Sequence, residues 1–373
     1  MLRWLLILVV GCWGTLLHAT AVVEYSAGPN SQPLGISTGP DGNLWFASVS
    51  GLGYLNPTTF AVFIYGQSPS PRPINVVTGA DGNLWSAESA ASQLVTVQPG
   101  SQTITNTFST TLGVQPYGMC RGPDGNLWFC ERSIDRIGVF NAATQVITDY
   151  PITSNAAPSY ICVGGDSNLW FTMPGIGFIG RISTTALSSN GITTGFVEFP
   201  CGNETVGICE GPDGALWFCE PTANEIGRMD TSGNVTQFDI PTLGSSPYGI
   251  CTGPDGNIWF CEHAASQIGK LSVGNGTINE YSITTPVAGP TDICTGPDGR
   301  LWFCETGVSQ IGVLDPNNLP SGPTSNGTSS GSTTAENVGV PPVNAGSGTK
   351  CGLGSSAAVV LILAIFLMRR LRG

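Results

Sequence analysis

Short apolar runs separated by polar turns recur along the chain at a nearly constant interval. In the clearest unit, residues 253–262, the turn Asp255-Gly256 precedes the apolar run Ile258-Trp259-Phe260. Six Asp-Gly turns and one degenerate Asp-Ser turn mark seven copies, which begin at Asp41, Asp81, Asp124, Asp166, Asp213, Asp255 and Asp298. Successive copies lie 40, 43, 42, 47, 42 and 43 residues apart, the period of a four-stranded propeller blade and not of a helical repeat.

The apolar and polar positions within one unit predict four strands. An inner strand such as Tyr248–Cys251 precedes the turn, and the Trp-Phe run after the turn completes a hairpin. The run Ile268–Leu271 supplies a third strand, and the alternating segment Ile278–Ile283 an outer strand with one solvated face. No sustained 3.6-residue apolar period occurs between them. The sequence therefore predicts an all-β protein, a seven-bladed β-propeller of four-stranded blades.

The two ends of the repeat region complement each other. Val22–Tyr25 has the pattern of an outer strand, although no inner strand precedes it, and the seventh unit stops after Leu314-Asp315 without a fourth strand. An N-terminal outer strand that completes the last blade would close the ring and remove its free edges. We expect the propeller to span residues 22–316.

Residues 1–21 have the pattern of an export signal. Arg3 precedes an apolar stretch from Trp4 to Trp13, and Ala19-Thr20-Ala21 is a small-x-small cleavage site. Alternatively, residues 9–12 resemble a bacterial lipobox, whose cleavage would leave a lipidated Cys12. Both interpretations predict an extracytoplasmic protein.

The C-terminal residues predict a stalk and an anchor. Residues 317–350 are mostly Ser, Thr, Gly, Pro and Asn, a composition typical of a flexible segment. Residues 351–373 contain an apolar run from Leu353 to Met368 that ends in Arg369-Arg370-Leu371-Arg372. As a helix this run would rise about 24 Å and could cross a thin bilayer with its arginines inside. A cleaved sorting tail, a glycolipid-anchor signal and a soluble terminal helix stay open as alternatives, and we expect a cell-surface location.

The negative net charge of the chain limits the kinds of partner that the propeller can bind. The formal net charge is −12, and Lys270 and Lys350 are the only lysines. Nucleic acids and anionic membrane surfaces bind clustered basic residues, so they are excluded as partners of the propeller. We expect a small molecule, peptide or surface partner at the propeller mouth, with membrane contact only through the C-terminal segment.

Twelve cysteines in an exported chain suggest disulfides. Four pairs lie ten residues apart and flank the Asp-Gly turn: Cys120/Cys130, Cys209/Cys219, Cys251/Cys261 and Cys294/Cys304. If each hairpin loop has an odd number of residues, both thiols lie on one sheet face, opposite or diagonal, so the sequence predicts four cross-strand disulfides. The alternative is small buried side chains in the blade cores, and the absence of C-x₂-C spacing argues against zinc. Cys162 and Cys201 form a weaker fifth candidate pair.

A glutamate follows the Trp-Phe strand at the same offset in five units: Glu88, Glu131, Glu220, Glu262 and Glu305. Ser48 and Met173 replace it in the first and fourth units. Equivalent positions of a propeller form a ring, so these carboxylates could hold a divalent cation or a cationic ligand at one mouth. We favour the interpretation that each accepts hydrogen bonds from backbone N–H groups of its own blade, because a repeat-wide feature usually serves the repeat. The Asp residues of the turns are likewise interpreted as turn formers.

The units G-P-D-G-N-L-W-F-x-E followed by I-G-R-I resemble, over Val22 to Leu314, the virginiamycin B lyase (streptogramin B lyase) family. The resemblance implies a seven-bladed propeller that linearises a cyclic depsipeptide by β-elimination. In such enzymes a Mg²⁺ ion polarises the substrate and a His removes the Cα proton. Those groups lie on inner strands that read P-H-[AG]-I and on the Glu that ends a W-F-x-E strand.

The catalytic positions that the resemblance implies are only partly retained. Tyr248 and Thr291 stand where the lyases have His on the sixth and seventh inner strands, and Gly289 replaces the acid before the second of these. Glu305 is retained at the metal-associated position, and Asp292 is the acid next to the lost His. Asp292 is therefore a weak catalytic candidate and Glu305 a weak Mg²⁺ ligand, with no other cofactor indicated.

Three functions stay open. The first is a surface propeller that binds a ligand or partner without lyase chemistry, because general base catalysis near neutral pH needs a group such as His. His263 follows Glu262 at an unmatched position and is interpreted as a solvated loop residue. The second is an active metal-dependent lyase or lactone-type hydrolase, and the third is an architectural envelope protein.

Overall fold

The structure, a computed structural model, describes residues 21–66, 72–101, 103–111, 113–185, 195–319 and 329–330. Every regular element among them is a β-strand. Residues 1–20 of the predicted signal at residues 1–21, most of the stalk and the C-terminal segment lie outside the described residues. None of the described residues forms a helix with the length and apolar character that a bilayer span requires.

The strands form seven antiparallel sheets, which are the predicted blades. Blades 1 to 3 contain β2 (Pro33–Thr38), β3 (Leu44–Ser48), β4 (Gly51–Leu55) and β5 (Val62–Gly66); β6 (Pro73–Thr78), β7 (Leu84–Glu88), β8 (Gln93–Val97) and β9 (Asn106–Ser109); and β10 (Pro116–Arg121), β11 (Leu127–Glu131), β12 (Arg136–Asn141) and β13 (Val146–Pro151). Blades 4 and 5 contain β14 (Ile161–Val163), β15 (Leu169–Met173), β16 (Phe178–Ile182) and β17 (Phe196–Pro200); and β18 (Ile208–Glu210), β19 (Leu216–Glu220), β20 (Glu225–Met229) and β21 (Val235–Asp239).

Blade 6 contains β22 (Pro247–Thr252), β23 (Ile258–Glu262), β24 (Gln267–Leu271) and β25 (Ile278–Ser282). Blade 7 contains β26 (Pro290–Thr295), β27 (Leu301–Glu305), β28 (Gln310–Leu314) and the N-terminal strand β1 (Val22–Ser26). Two residues of the predicted stalk form a fifth strand in blade 5, β29 (Ser329–Ser330), beside β21.

The predicted closure of the ring is confirmed. β1 pairs antiparallel with β28, with Val22 opposite Leu314 and Tyr25 opposite Ile311. The first strand of the propeller is thus the outer strand of its last blade, and no other segment is needed to complete the four-stranded sheet.

The recurring turn and Trp explain why each unit folds alike. In blade 6, Gly256 has φ +70°, a conformation that glycine adopts without strain. The Asp255 carboxylate accepts hydrogen bonds from the Asn257 amide at 3.2 Å and from the Trp259 indole at 2.9 Å. Trp259 is fully buried and stacks on Tyr281 of the outer strand. These bonds confirm that the Asp residues form the turns. Trp259 of blade 6 shares a buried cluster with Phe303 of blade 7, so the core lies between neighbouring blades.

Candidate functional site

The end of the ring at which the inner strands begin is called the upper mouth below, and the end with the Asp-Gly turns the turn end. Antiparallel pairing brings the start of each inner strand beside the end of the second strand, as in Pro247 opposite Glu262 and Pro290 opposite Glu305. The lyase-like positions Tyr248, Thr291 and Glu305 therefore all belong to the upper mouth.

Three tyrosines from different blades meet at this mouth. The hydroxyls of Tyr117 in blade 3 and Tyr248 in blade 6 are 3.1 Å apart. The ring of Tyr160, which precedes β14 of blade 4, lies edge-on to both, with centroids at 5.6 and 6.0 Å. The Arg132 guanidinium is 5.2 Å from the centroid of Tyr117. Since blades 3 and 6 are not neighbours, these side chains reach across the axis of the ring.

Tyr248 is poorly suited to remove a proton. Burial, and after it the nearby Tyr117, raise the pKa of Tyr248 well above its ordinary value. A phenol is already protonated at neutral pH, and this environment makes it more so. Tyr248 can donate or accept a hydrogen bond at the mouth but does not supply a general base.

Thr291 is occupied by protein contacts. Its hydroxyl donates to the Leu34 carbonyl at 2.9 Å and lies 2.8 Å from the Thr306 hydroxyl. Thr306 in turn donates to the Pro33 carbonyl. The two hydroxyls bridge blades 7 and 1, so the second lyase His position serves the closure of the ring.

Asp292 is half-buried at the inner face of the ring. One carboxylate oxygen accepts the Ile36 amide at 2.9 Å and the other the amide of Ile293 at 3.0 Å. Burial raises the pKa of Asp292 to about 7, although both hydrogen bonds lower it. The carboxylate joins blade 7 to blade 1 through backbone amides.

The residue equivalent to Asp292 on the inner strand differs between the seven blades. Four blades have glycine there: Gly35, Gly118, Gly207 and Gly249. A Cβ on Gly249 would lie 2.5 Å from the Thr291 carbonyl oxygen, so the inner strands of neighbouring blades are in close contact. The other three blades place Asn75, Tyr160 and Asp292 at this level, and Asn75 donates to the Met119 carbonyl at 3.0 Å. Three blades thus carry a polar side chain at this level, and four carry none.

The five repeated glutamates, Glu88, Glu131, Glu220, Glu262 and Glu305, are fully buried. They contact side chains of their own blades. Gln93 donates to Glu88, and Gln237 donates to Glu220 at 2.8 Å. Each glutamate lies against its own blade as expected, but the donors to Glu88 and Glu220 are side chains of the third and outer strands and not backbone amides.

In blades 3, 6 and 7 the neighbour of the buried glutamate is a second carboxyl group, which in blade 6 is Glu280 beside Glu262. Glu131 lies beside Asp149, and Glu305 beside Glu24 of β1. Burial, and after it the neighbouring carboxyl, raise the pKa of each of these glutamates to about 8. Two carboxyls in contact form a hydrogen bond only when they share a proton.

These placements do not fit the Mg²⁺ site that the resemblance implies. Glu305 faces Glu24 inside a blade, whereas Asp292 caps backbone amides at the inner face. Within the described part of the chain, no three His, Cys, Asp or Glu side chains are arranged to hold a metal ion. An Asp292/Glu305 metal site is therefore not supported.

His263 lies closer to the mouth than its sequence position suggested. Its Nδ1 is 3.2 Å from the Pro290 carbonyl oxygen, and its ring is 6.2 Å from that of Tyr248. It is half-buried and not a freely solvated loop residue. The pairing of Pro247 with Glu262 explains this position, because His263 follows Glu262 directly.

The predicted disulfides are not present, and all ten cysteines among the described residues are free thiols. The register gives the reason: Cys120 lies opposite Trp128, Cys209 opposite Trp217, Cys251 opposite Trp259 and Cys294 opposite Trp302. Cys130, Cys219, Cys261 and Cys304 are then diagonal partners, about 7–8 Å away, beyond the usual Cα separation of a disulfide. Cys162 lies opposite Trp170, and Cys201 donates to the Gly177 carbonyl, so this fifth pair is not formed either.

Comparisons with known proteins place this site in a family. The model of the virginiamycin B lyase family matches residues 19–190 and 186–319. The chain belongs to the virginiamycin B lyase family. A streptogramin B lyase structure is 31% identical, with a TM-score of 0.72 over 79% of this chain and 97% of that chain. No curated protein matches the chain.

Two further solved structures are similar to this chain, one at 30% and one at 16% sequence identity. A catalytically inactive His-to-Ala variant of virginiamycin B lyase from Staphylococcus aureus, determined with quinupristin, is 30% identical with a TM-score of 0.70, over 79% of this chain and 98% of that chain. Kuenenia stuttgartiensis hydrazine synthase is 16% identical, with a TM-score of 0.65 over 76% of this chain and 96% of that chain, and shares the fold alone. This virginiamycin B lyase family member thus has the lyase-like propeller with Tyr248 and Thr291 at the mouth.

Proposed function

We propose that this protein is a cell-surface binding propeller without the elimination chemistry of its lyase relatives. The contact between the Tyr248 and Tyr117 hydroxyls carries the proposal. It engages one of the two positions at which the lyase pattern requires His, and Thr291 at the other position is held by backbone carbonyls. Neither residue offers a base for a Cα proton near neutral pH.

The rim of the upper mouth supports a binding role. Leu243 and Val287, in the connections that lead into β22 and β26, are 90% and 79% exposed, and Ile134 in the turn after β11 is 37% exposed. Exposed apolar residues around half-buried aromatic rings are typical of a ligand-binding surface. We infer a neutral or cationic ligand with an apolar face, either a small molecule, a peptide or a surface partner.

The location is part of the proposal. The export pattern of residues 1–21 and the apolar, Arg-terminated segment at residues 351–373 support an extracytoplasmic propeller that is anchored by its C-terminal segment. Protease treatment of intact cells tests this, because a surface propeller would be digested, whereas a protected propeller would contradict the location.

Quinupristin, the compound in the relative's structure, is a suitable probe. With Mg²⁺ present, we expect calorimetry to detect binding and mass spectrometry to find no isomeric linear product, because loss of a positioned base costs about 10² to 10⁴ in rate. A streptogramin B lyase is the positive control. Leu243→Ser should weaken binding, whereas Val146→Ser, at an exposed position at the turn end of blade 3, should not.

Two results would contradict the proposal. A linear product that disappears in Glu305→Ala would establish an active metal-dependent lyase, the second candidate from the sequence. Failure of quinupristin to bind at any accessible concentration would reject the upper mouth as a site for ligands of this class.

A further inference from the structure

Each blade builds the same aromatic unit near the turn end. The indole of its Trp donates to the Asp of the turn, as in Trp85 to Asp81 at 3.2 Å. An aromatic ring of the outer strand stacks on this Trp, as Phe108 does on Trp85 with centroids 5.4 Å apart. The unit combines an aromatic face with a carboxylate, which is the arrangement that attracts organic cations.

Four blades use this unit to hold a basic side chain of the chain itself. The cation lies over the Trp ring and beside the turn Asp: Arg181 at 5.3 Å from Trp170 and 3.8 Å from Asp166, Arg228 at 5.9 Å from Trp217 and 2.6 Å from Asp213, Lys270 at 5.2 Å from Trp259 and 2.8 Å from Asp255, and Arg300 at 5.1 Å from Trp302 and 2.7 Å from Asp298. The repeat therefore shows directly which chemistry the unit accepts.

Blade 2 keeps the unit but has no basic side chain for it. Thr96 lies opposite Trp85, at the register position where Arg181, Arg228 and Lys270 face their tryptophans. Among the described residues, no Lys or Arg contacts Asp81 or lies over Trp85. Blades 1 and 3 also lack this cation, but the register position opposite their Trp is filled by a Tyr54 ring in blade 1 and by the apolar Val139 in blade 3, whereas blade 2 has the small polar Thr96 there.

A cavity of about 180 Å³ lies over the blade 2 unit. Its lining includes Asp81, Trp85, Thr96 and Phe108 of blade 2 and Phe140 of blade 3. A cavity of this volume has room for several waters or for the end of a long side chain. Asp81 is exposed at its edge, so the cavity opens to solvent.

A buried polar atom also indicates that the cavity can accept a hydrogen-bond donor. Thr96 is 1% exposed, and its hydroxyl has no hydrogen-bond partner among the described residues. A buried hydroxyl without a partner is unfavourable, so a donor brought into the cavity would gain that contact. The Asp81 carboxylate also has acceptor sites beyond the bonds to Trp85 and Asn83.

We propose that the blade 2 cavity binds an alkylguanidinium or alkylammonium group from outside the chain, in the place that Arg181, Arg228 and Lys270 fill in their own blades. The cation lies over the edge of the Trp85 ring that lines the cavity and beside Asp81, next to the ring of Phe140, whose centroid is 4.8 Å from that of Trp85. Such a group can be the end of a basic side chain of a partner polypeptide or a free organic amine. The site is at the turn end and is independent of the upper mouth.

Binding of butylguanidinium to the purified full-length protein tests the site. Ligand-observed NMR should give a dissociation constant on the order of millimolar, because a single cation with one aromatic face and one carboxylate contributes a few kcal/mol at most. Neutral butylurea, of the same shape, should bind at least about tenfold more weakly. Equal affinity of the two compounds would overturn the proposal.

Matched variants locate the binding. Asp81→Asn should lose at least about tenfold in affinity, whereas Asp213→Asn, at the same turn position in the blade that holds Arg228, should change nothing. Thr96→Arg supplies blade 2 with its own cation and should abolish butylguanidinium binding while raising the melting temperature by a few degrees. Thr96→Val, which lacks the charge, is its control. Undiminished binding in folded Thr96→Arg would place the ligand elsewhere.

A peptide distinguishes the two sources of the cation. If N-acetyl-Gly-Arg-Gly-amide binds at least about tenfold more tightly than butylguanidinium and loses this gain in Asp81→Asn, the occupant is a polypeptide side chain. Equal affinities identify a free organic cation. Quinupristin binding should be the same in Thr96→Arg as in the wild type, so failure here and failure of the proposed function can be told apart.

Discussion

A glycine in the third strand lies beneath a phenylalanine in six of the seven blades, as Gly269 does beneath Phe260. A Cβ at this glycine would overlap the ring of Phe260. In blade 2 the large and the small side chain are exchanged between the two strands. Ser86 stands in the place of the Phe, and Val95, which faces it, stands in the place of the Gly. The side chains at these two positions compete for one space in the core, which the second strand fills in six blades and the third strand fills in blade 2.

This exchange can be tested as a double-mutant cycle. Gly269→Val alone should lower the free energy of unfolding by about 3 kcal/mol through overpacking, and Phe260→Ser by about 3–5 kcal/mol through the lost ring. The double variant should be about 1–3 kcal/mol more stable than the sum predicts. Urea denaturation measures all three. Gly274→Ala, where an added Cβ meets no atom within 4 Å, is the control for substituting a glycine, and strict additivity would refute the shared volume.

The glycine of the third strand also makes room for the buried glutamate of the second strand. The Oε1 atom of Glu305 lies above Gly312, so the side chain crosses the third strand to reach Glu24 on the outer strand. A Cβ on Gly312 would collide with it. The glycine therefore permits both the aromatic packing and the buried carboxyl pair.

At the scale of the element, β1 holds the ring closed by more than its backbone. The Glu24 carboxylate accepts the Thr285 amide at 3.1 Å and the Thr285 hydroxyl at 2.8 Å, and Tyr25 stacks on Phe60 with centroids 4.6 Å apart. These contacts join the N-terminal strand to the connection before blade 7 and to blade 1. β28 would otherwise expose a row of unpaired backbone groups.

Deletion of Val22–Ser26 should therefore lower the melting temperature and promote aggregation through the free edge of β28. Calorimetry and size-exclusion chromatography measure the two effects. A synthetic peptide of residues 21–27 should restore part of the lost stability by pairing with β28 as an added strand, whereas a peptide of the same composition in scrambled order should not. A deletion variant as stable and monomeric as the wild type would contradict this role.

The elements could be predicted because their signals are local. The Asp-Gly turns and the Trp-Phe runs fix the number of blades, and the unmatched strand at Val22–Tyr25 indicates the closure. The disulfides could not be judged from the spacing of the cysteines alone. The hairpin register differs by two residues from the one that a disulfide needs, and this difference places the two thiols diagonally and not opposite each other. Tyr160 was missed since Pro158-Ser159-Tyr160 places the aromatic residue one position later than Pro116-Tyr117. Contacts across the axis, such as that between Tyr117 and Tyr248, join blades that no sequence spacing relates.

At the scale of the whole molecule, the buried carboxyls set the pH dependence of stability. The folded-state pKa is raised to about 7 for Glu220, about 8 for Glu131 and Glu305, and about 9 for Glu262, in each case chiefly by burial. A raised pKa means that the folded state holds protons that the unfolded chain loses near pH 4.5. The contribution of these four glutamates to stability is therefore fully present below about pH 4.5 and is lost as the pH rises through 7 to 9.

The melting temperature should accordingly be higher at pH 5 than at pH 8. Glu305→Gln keeps an uncharged side chain of the same size, so this variant should lose less stability over that range than the wild type. Glu210→Gln, which alters an exposed carboxylate, should follow the wild type. Calorimetric scans at half-unit steps of pH provide the measurement, and a melting temperature that increases steadily from pH 5 to pH 8 would contradict the assignment of shared protons.

The pairing of β1 with β28 also governs the order in which the molecule can be made. The segment synthesised first has its partner in the segment synthesised last, and at about 5–20 residues per second the two are separated by on the order of ten seconds to a minute. During that time each finished blade can pack on its predecessor, while the leading strand waits without a partner. A chain interrupted before Gln310 would hold six blades and an unpaired first strand, and not a smaller closed ring.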